Sequence, residues 1–168
     1  AAANAAAGSR TAELSFSSFG TVRSATVVQR GQKRTWDEWK EDEIASRDPD
    51  TDQTGPTDSP AGDGIPNLLK YATGLDPLKP CGSVVQISTE KTNGGAFLVL
   101  AWPVNPEATG IRHLVESSED LQTWTEMAEV ETEGKSSAIF RDTVPINAES
   151  PPRRFLRLKI SREEENPH

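Results

Sequence analysis

A single cysteine, Cys81, stands in the 168-residue chain, so no disulfide can form within it. CxxC and zinc-ligand spacings are absent as well, which leaves the redox compartment open. Histidine is almost as scarce, with only His113 and His168. Every nucleophile–histidine catalytic set must therefore pass through His113, which sits in the middle of an apparent strand. No apolar run approaches the length of a transmembrane helix, so no membrane span is expected. Positive charge is in deficit, with 18 Lys and Arg against 26 Asp and Glu. The net charge of -8 argues against nucleic acid or an anionic membrane as partner. Basic residues gather only at Arg153, Arg154, Arg157 and Lys159, alternating with apolar ones as on the solvated face of a strand. Hydrophobic residues make up only 34%, so a substantial share of loop is expected.

Four regions follow from the composition: residues 1–34, 35–80, 81–161 and 162–168. The first opens on an Ala-rich tail expected to fray, because no apolar stripe docks it. Two β-prone runs follow, Ala12 to Phe19 and Val22 to Gln29, with Gly20 between them as a hairpin turn. The segment Arg23-Ser24-Ala25-Thr26-Val27-Val28 resembles the closing strand of the small β-sandwiches appended to many glycoside hydrolases.

The second region is a helix–loop–helix joint. Thr35 and Glu38 form a capping box at the start of a helix expected to reach Ser46. Its Trp36 and Trp39 either pack on a neighbouring domain or stack on sugar rings. Residues 47–61 are rich in Pro and Asp and read as loop. The alternation of Asp48, Asp50 and Asp52, with Asp58 beyond, matches either half of a calcium loop or a hydrated acidic linker. Then Gly64 turns the chain, Pro66 starts a helix at its first position, Gly74 stops it in the left-handed conformation, and Pro77 forbids continuation.

This last stretch, Gly62-Asp63-Gly64-Ile65-Pro66-Asn67-Leu68-Leu69-Lys70-Tyr71-Ala72-Thr73-Gly74-Leu75-Asp76-Pro77, resembles an element near the C-termini of large secreted or surface proteins of planctomycete and verrucomicrobial bacteria. Residues 115–124 (VESSEDLQTW), 141–145 (RDTVP) and 153–158 (RRFLRL) resemble the β-domain that accompanies it, so the likeness spans about residues 35 to 160. It implies a non-catalytic tail, secreted or at the cell surface, whose partners are the cell surface or secretion machinery. The loop also resembles the calcium loops of dockerins and thrombospondin type 3 repeats. That resemblance implies Ca²⁺ as a cofactor, with Asp63 and Asn67 as ligands beside Asp48, Asp50, Asp52 and Asp58. In this register Ser59 and Ala61 stand where acids are needed, and Lys70 replaces the closing glutamate.

From Ser83 the pattern turns to period two. Strands are expected at 84–87, 96–102, 111–117, 124–130, 138–140 and 154–160, with a turn at Asn93-Gly94-Gly95. The fold expected is mainly β: a small antiparallel β-sandwich of the immunoglobulin or fibronectin type III kind, preceded by two short helices and the acidic loop. Its core should hold Phe97, Val99, Trp102, Val115, Leu121, Trp124, Phe140, Phe155 and Leu158. Trp102 and Trp124 are alternatively the ligand-binding aromatics of a carbohydrate-binding module, which would take a polysaccharide as partner. Glu116 and Asp142 would be the carboxylates of a small hydrolase, the third reading.

Overall fold

The computed structural model describes residues 10–18, 21–29, 31–146 and 153–163, the first two segments by their backbone alone. The expected Ala-rich tail, the Gly20 turn and residues 164–168 lie outside the described residues. The protein is mainly β, with two antiparallel three-stranded sheets and two short helices.

Strands β1 (Arg10–Ser18) and β2 (Thr21–Gln29) pair antiparallel as a two-stranded sheet. The helix α1 (Trp36–Lys40) begins at the expected capping box. The Thr35 hydroxyl accepts from the Glu38 backbone at 3.3 Å, and the Glu38 carboxylate accepts from the Thr35 backbone at 2.8 Å. Beyond Lys40 the helix widens: over Glu41–Ala45 the bonding becomes i→i+5, with Ser46 N donating to Glu41 O at 2.9 Å. This wider turn places Ile44 at zero exposure beside the tryptophans. The helix α2 (Asn67–Thr73) starts one residue later than expected. Pro66 is its N-cap, extended at ψ 144° with the φ of -62° that its ring fixes, and its carbonyl accepts from Lys70 at 3.1 Å. Gly74 ends the helix at φ 73°, and the backbone of Leu75 donates back to Lys70 O at 3.0 Å.

Six strands follow: β3 (Gln86–Thr92), β4 (Gly95–Pro103), β5 (Ile111–Ser118), β6 (Thr125–Glu129), β7 (Ser137–Ile146) and β8 (Phe155–Arg162). One sheet runs β3-β4-β7 and the other β6-β5-β8. β3 begins two residues later than the sequence suggests. β7 is far longer than its apolar triplet and carries Pro145, which an edge strand tolerates.

Two apolar clusters hold these pieces. The first joins Leu100, Trp102, Val104, Val115 and Ala138, with Val85, Val130, Phe140, Leu156 and Leu158 packed against it. The second joins Trp36, Trp39, Ile44 and Tyr71, flanked by Leu68, Leu78, Ala108 and Ile111. Its three aromatic rings lie 5.4–5.7 Å apart and tilted or edge-on. Each such side chain contributes about 1.5–3 kcal/mol by leaving water. Trp36 and Trp39 thus pack inward, on α2 and the start of β5. Of the expected core, Leu121 is instead 56% exposed, because it sits in the β5–β6 turn at φ 62°.

Candidate functional site

The most heavily bonded polar group in the joint is Asp63, between two glycines in the left-handed region, Gly62 at φ 68° and Gly64 at φ 74°. That geometry turns its carboxylate inward, where its side chain is 5% exposed. One oxygen accepts from the Ile65 backbone at 3.0 Å and from the Ser59 hydroxyl at 2.9 Å. The other accepts from the Cys81 backbone at 3.0 Å and from the Lys70 ammonium at 2.8 Å. Lys70, at zero exposure, also donates to the carbonyls of Pro77 at 3.3 Å and Lys79 at 3.1 Å. The ammonium therefore sits among three oxygens and exhausts its three hydrogens. The Lys70 ammonium, outweighing the cost of burial, holds the Asp63 carboxyl far below the usual carboxylate range. Burial and the neighbouring carboxylate push the Cys81 thiol up, so it stays protonated.

The acidic loop folds back over the start of α2. Pro66 offers no side-chain cap, so the loop supplies one: Asp58 O accepts from Asn67 N at 2.8 Å and Pro56 O from Leu68 N at 3.0 Å. Asn67, fully buried, donates its amide to the carbonyls of Gln53 at 3.1 Å and Gly55 at 3.0 Å. Asp58 accepts from the Gly55 backbone at 2.8 Å. Asp50 and Asp52 are exposed and Asp48 half-buried. Among the described residues no group of three or more His, Cys, Asp or Glu side chains is gathered to hold a metal. Of the calcium ligands the resemblance implies, Asp63 faces an ammonium, and Asn67 spends its amide nitrogen on Gln53 and Gly55 while its buried Oδ1 meets no partner. This donor set does not fit Ca²⁺, which requires about six to eight oxygens.

Of the remaining structural positions, Gly64 and Pro77 serve this cage, while Pro66 and Gly74 cap the two ends of α2. Pro77 is fully buried, with its carbonyl on Lys70. Sequence reasoning placed Lys70 only as a missing ligand. Its one sequence signal was that it is the only charged residue in α2.

Trp102 is 2% exposed, in the first cluster, out of a ligand's reach. Trp124 is half-buried beneath the Arg157 guanidinium, 4.0 Å from its ring centre. Glu116 is gripped by Arg157 at 2.6 Å and Lys159 at 2.9 Å. Burial works to raise its pKa, but the two cations outweigh it and hold it down. Asp142 behaves alike: burial raises, and Arg154 with backbone donors more than reverses this. Both carboxylates stay ionised, whereas glycosidic cleavage needs one held protonated. The Nδ1 of His113 accepts from Trp102 at 3.1 Å, so that nitrogen is not free to activate a nucleophile. A cleft of about 300 Å³ beside β5 is lined by Lys33, Arg112, Glu129, Glu131, Glu133 and Glu163. Its charges pair across it, Lys33 with Glu133 at 2.8 Å and Arg112 with Glu129 at 2.6 Å.

Tyr71 ties this joint to the β-region. Its hydroxyl lies 2.6 Å from Arg34 O and 2.8 Å from Thr109 O, and accepts from Thr109 N at 2.8 Å. Asn105 adds two bonds to α2, from its backbone to Ala72 O and from its amide to Tyr71 O, both 2.9 Å. No helix among the described residues is long and apolar enough to cross a membrane. Comparison with known proteins finds no matching family model, no similar curated protein and no similar solved structure.

Proposed function

We propose that this chain is a non-catalytic structural module of a secreted or cell-surface protein, serving attachment or sorting. The observation that carries the reading is Tyr71, whose hydroxyl joins α2 to Arg34 before α1 and to Thr109 before β5. A helix tied in this way to the chain on either side sets the angle at which a β-domain leaves the preceding chain. The likeness to bacterial C-terminal tails supports the location. We read the two sheets as the faces of a small sandwich of the immunoglobulin or fibronectin type III kind. What supports this is the shared cluster of Leu100, Trp102 and Ala138 from one sheet with Val115, Leu156 and Leu158 from the other.

A fusion of a secreted reporter enzyme to this chain, expressed in a planctomycete or verrucomicrobial host, tests the proposal. The expected result is reporter activity in the cell-envelope fraction, and release into the medium when the chain is deleted. Free reporter in both cases overturns attachment. Pelleting of the purified chain with insoluble cellulose, xylan or chitin would replace the reading by a carbohydrate-binding module. Release of reducing sugar would replace it by a hydrolase.

A further inference from the structure

The loop before α2 has the outline of a divalent-cation loop, yet its seat is filled from within. Asp63 brings one carboxylate, Pro77 and Lys79 bring carbonyls, and Ser59 stands against the other carboxylate oxygen. An uncompensated carboxylate in such a place is costly, so some cation must accompany it. Here the cation is covalent. We propose that Lys70 is the built-in counter-ion of this joint, that it stands in place of a divalent metal, and that Lys70→Glu hands the seat back to Ca²⁺.

The exchange follows from charge and ligand count. With Lys70 present, a calcium ion would have to displace an ammonium that already makes three bonds, and would gain only one carboxylate. With glutamate at this position the seat gathers two carboxylates and the carbonyls of Pro77 and Lys79, and water can complete the shell. The alkyl stem of Lys70 is fully buried, so a side chain here points into the cage rather than to solvent. Asn67 keeps its bonds to Gln53 and Gly55 in either case, because it lies outside the ammonium's shell.

Thermal unfolding of the full chain in EDTA and in millimolar CaCl₂ reads this directly, whatever surface the protein attaches to. The wild type is expected to melt at one temperature in both, and to give no binding heat on calcium titration. Lys70→Glu is expected to melt lower in EDTA and to gain roughly 5–10 °C when Ca²⁺ exceeds its dissociation constant a hundredfold. Lys70→Gln, which keeps a carbonyl oxygen but no charge, guards against a variant that does not fold and should gain less. A wild-type rise in Ca²⁺ that Asp63→Asn abolishes overturns the proposal. So does the absence of any Ca²⁺ effect in both Lys70 variants.

Discussion

The indole nitrogen of Trp102 donates to Nδ1 of His113 across 3.1 Å, joining β4 of one sheet to β5 of the other. Both residues are 2% exposed, and their rings lie 13° from parallel. An indole N–H can only donate, so Nδ1 must accept and the imidazole hydrogen sits on Nε2. Protonating the ring puts a hydrogen on Nδ1 and breaks this bond. Burial also pushes the His113 pKa down, because a buried imidazolium has no water to solvate it.

Stability should therefore fall as the solution is acidified through the ordinary histidine range. The folded pKa lies below the unfolded one, so the unfolded chain takes up the proton first. The contribution is complete above about pH 6.5 and is lost below it, with a limiting slope of about 1.4 kcal/mol per pH unit. Urea unfolding at pH 8, 6.5 and 5 should show the loss. His113→Asn, whose amide oxygen can still accept from Trp102, should flatten the curve between pH 6.5 and 5. The carboxylates titrate in a lower window. Asp76, held down to about 2 by Arg47, and Asp120, held down to about 2 by the backbones of Thr123 and Gln122, lose their contribution only below about pH 4. A slope above pH 5 that survives His113→Asn would refute the assignment.

Asp142 and Arg154 form the second test. Asp142 is fully buried in β7 and meets both nitrogens of the Arg154 fork just before β8, one of them at 2.9 Å. The Val144 backbone also donates to it at 3.2 Å. Asp142→Ala strands a mostly buried guanidinium and should cost about 3–5 kcal/mol in urea unfolding. Replacing both partners, as Asp142→Leu with Arg154→Met, should cost less than either single change, since no charge is left unpaired. A double variant that loses the sum of the two singles would show the pair to be independent.

The parts legible in the sequence were those governed by local rules. Thr35 with Glu38, Gly74 with φ of 73°, the unbroken apolar run of β4 and the period-two run of β8 depend on a few neighbouring residues, and structure follows them. What stayed hidden depends on distant partners. Lysine is read as solvated by default, and nothing beside Lys70 announces that Pro77 and Lys79 will return their carbonyls to it. Leu121 reads as core by its apolarity, but the Ser118 and Asp120 side chains fix the turn and leave it outside. The Asp48, Asp50 and Asp52 alternation had no structural counterpart of its own. The loop is shaped instead by Asn67 and by the orphan N–H groups of α2.

Tyr71 offers a probe of the joint itself. Tyr71→Phe keeps the ring in the aromatic cluster but takes the hydroxyl from the Thr109 carbonyl, while Arg34 O keeps the Thr109 amide and hydroxyl, both at 3.1 Å. The expected cost is about 1–3 kcal/mol. Amide hydrogen exchange should locate the damage, with Thr109 exchanging faster while the amides of β4 keep their protection. An unchanged Thr109 amide would mean that its other bond, to Arg34 O at 3.1 Å, protects it without the Tyr71 hydroxyl.

Leu121 is the one residue other than glycine with positive φ among those described, at 62°, and it is 56% exposed. Its conformation is imposed by neighbours: its own backbone donates to the Ser118 hydroxyl at 2.8 Å, and Asp120 accepts from Gln122 at 2.8 Å and Thr123 at 2.7 Å. A non-glycine residue pays about 1–2 kcal/mol to sit there, and asparagine pays less because its short amide tolerates the left-handed region. Little apolar contact is forfeited at an exposed turn. Leu121→Asn should therefore raise stability by about 0.5–1 kcal/mol, or roughly 1–4 °C in Tm. Leu121→Val, β-branched and worse suited to positive φ, should lower it. The pair read together separates strain from contact: if Asn destabilises and Val does not, the leucine side chain is held by a packing interaction stronger than its backbone strain.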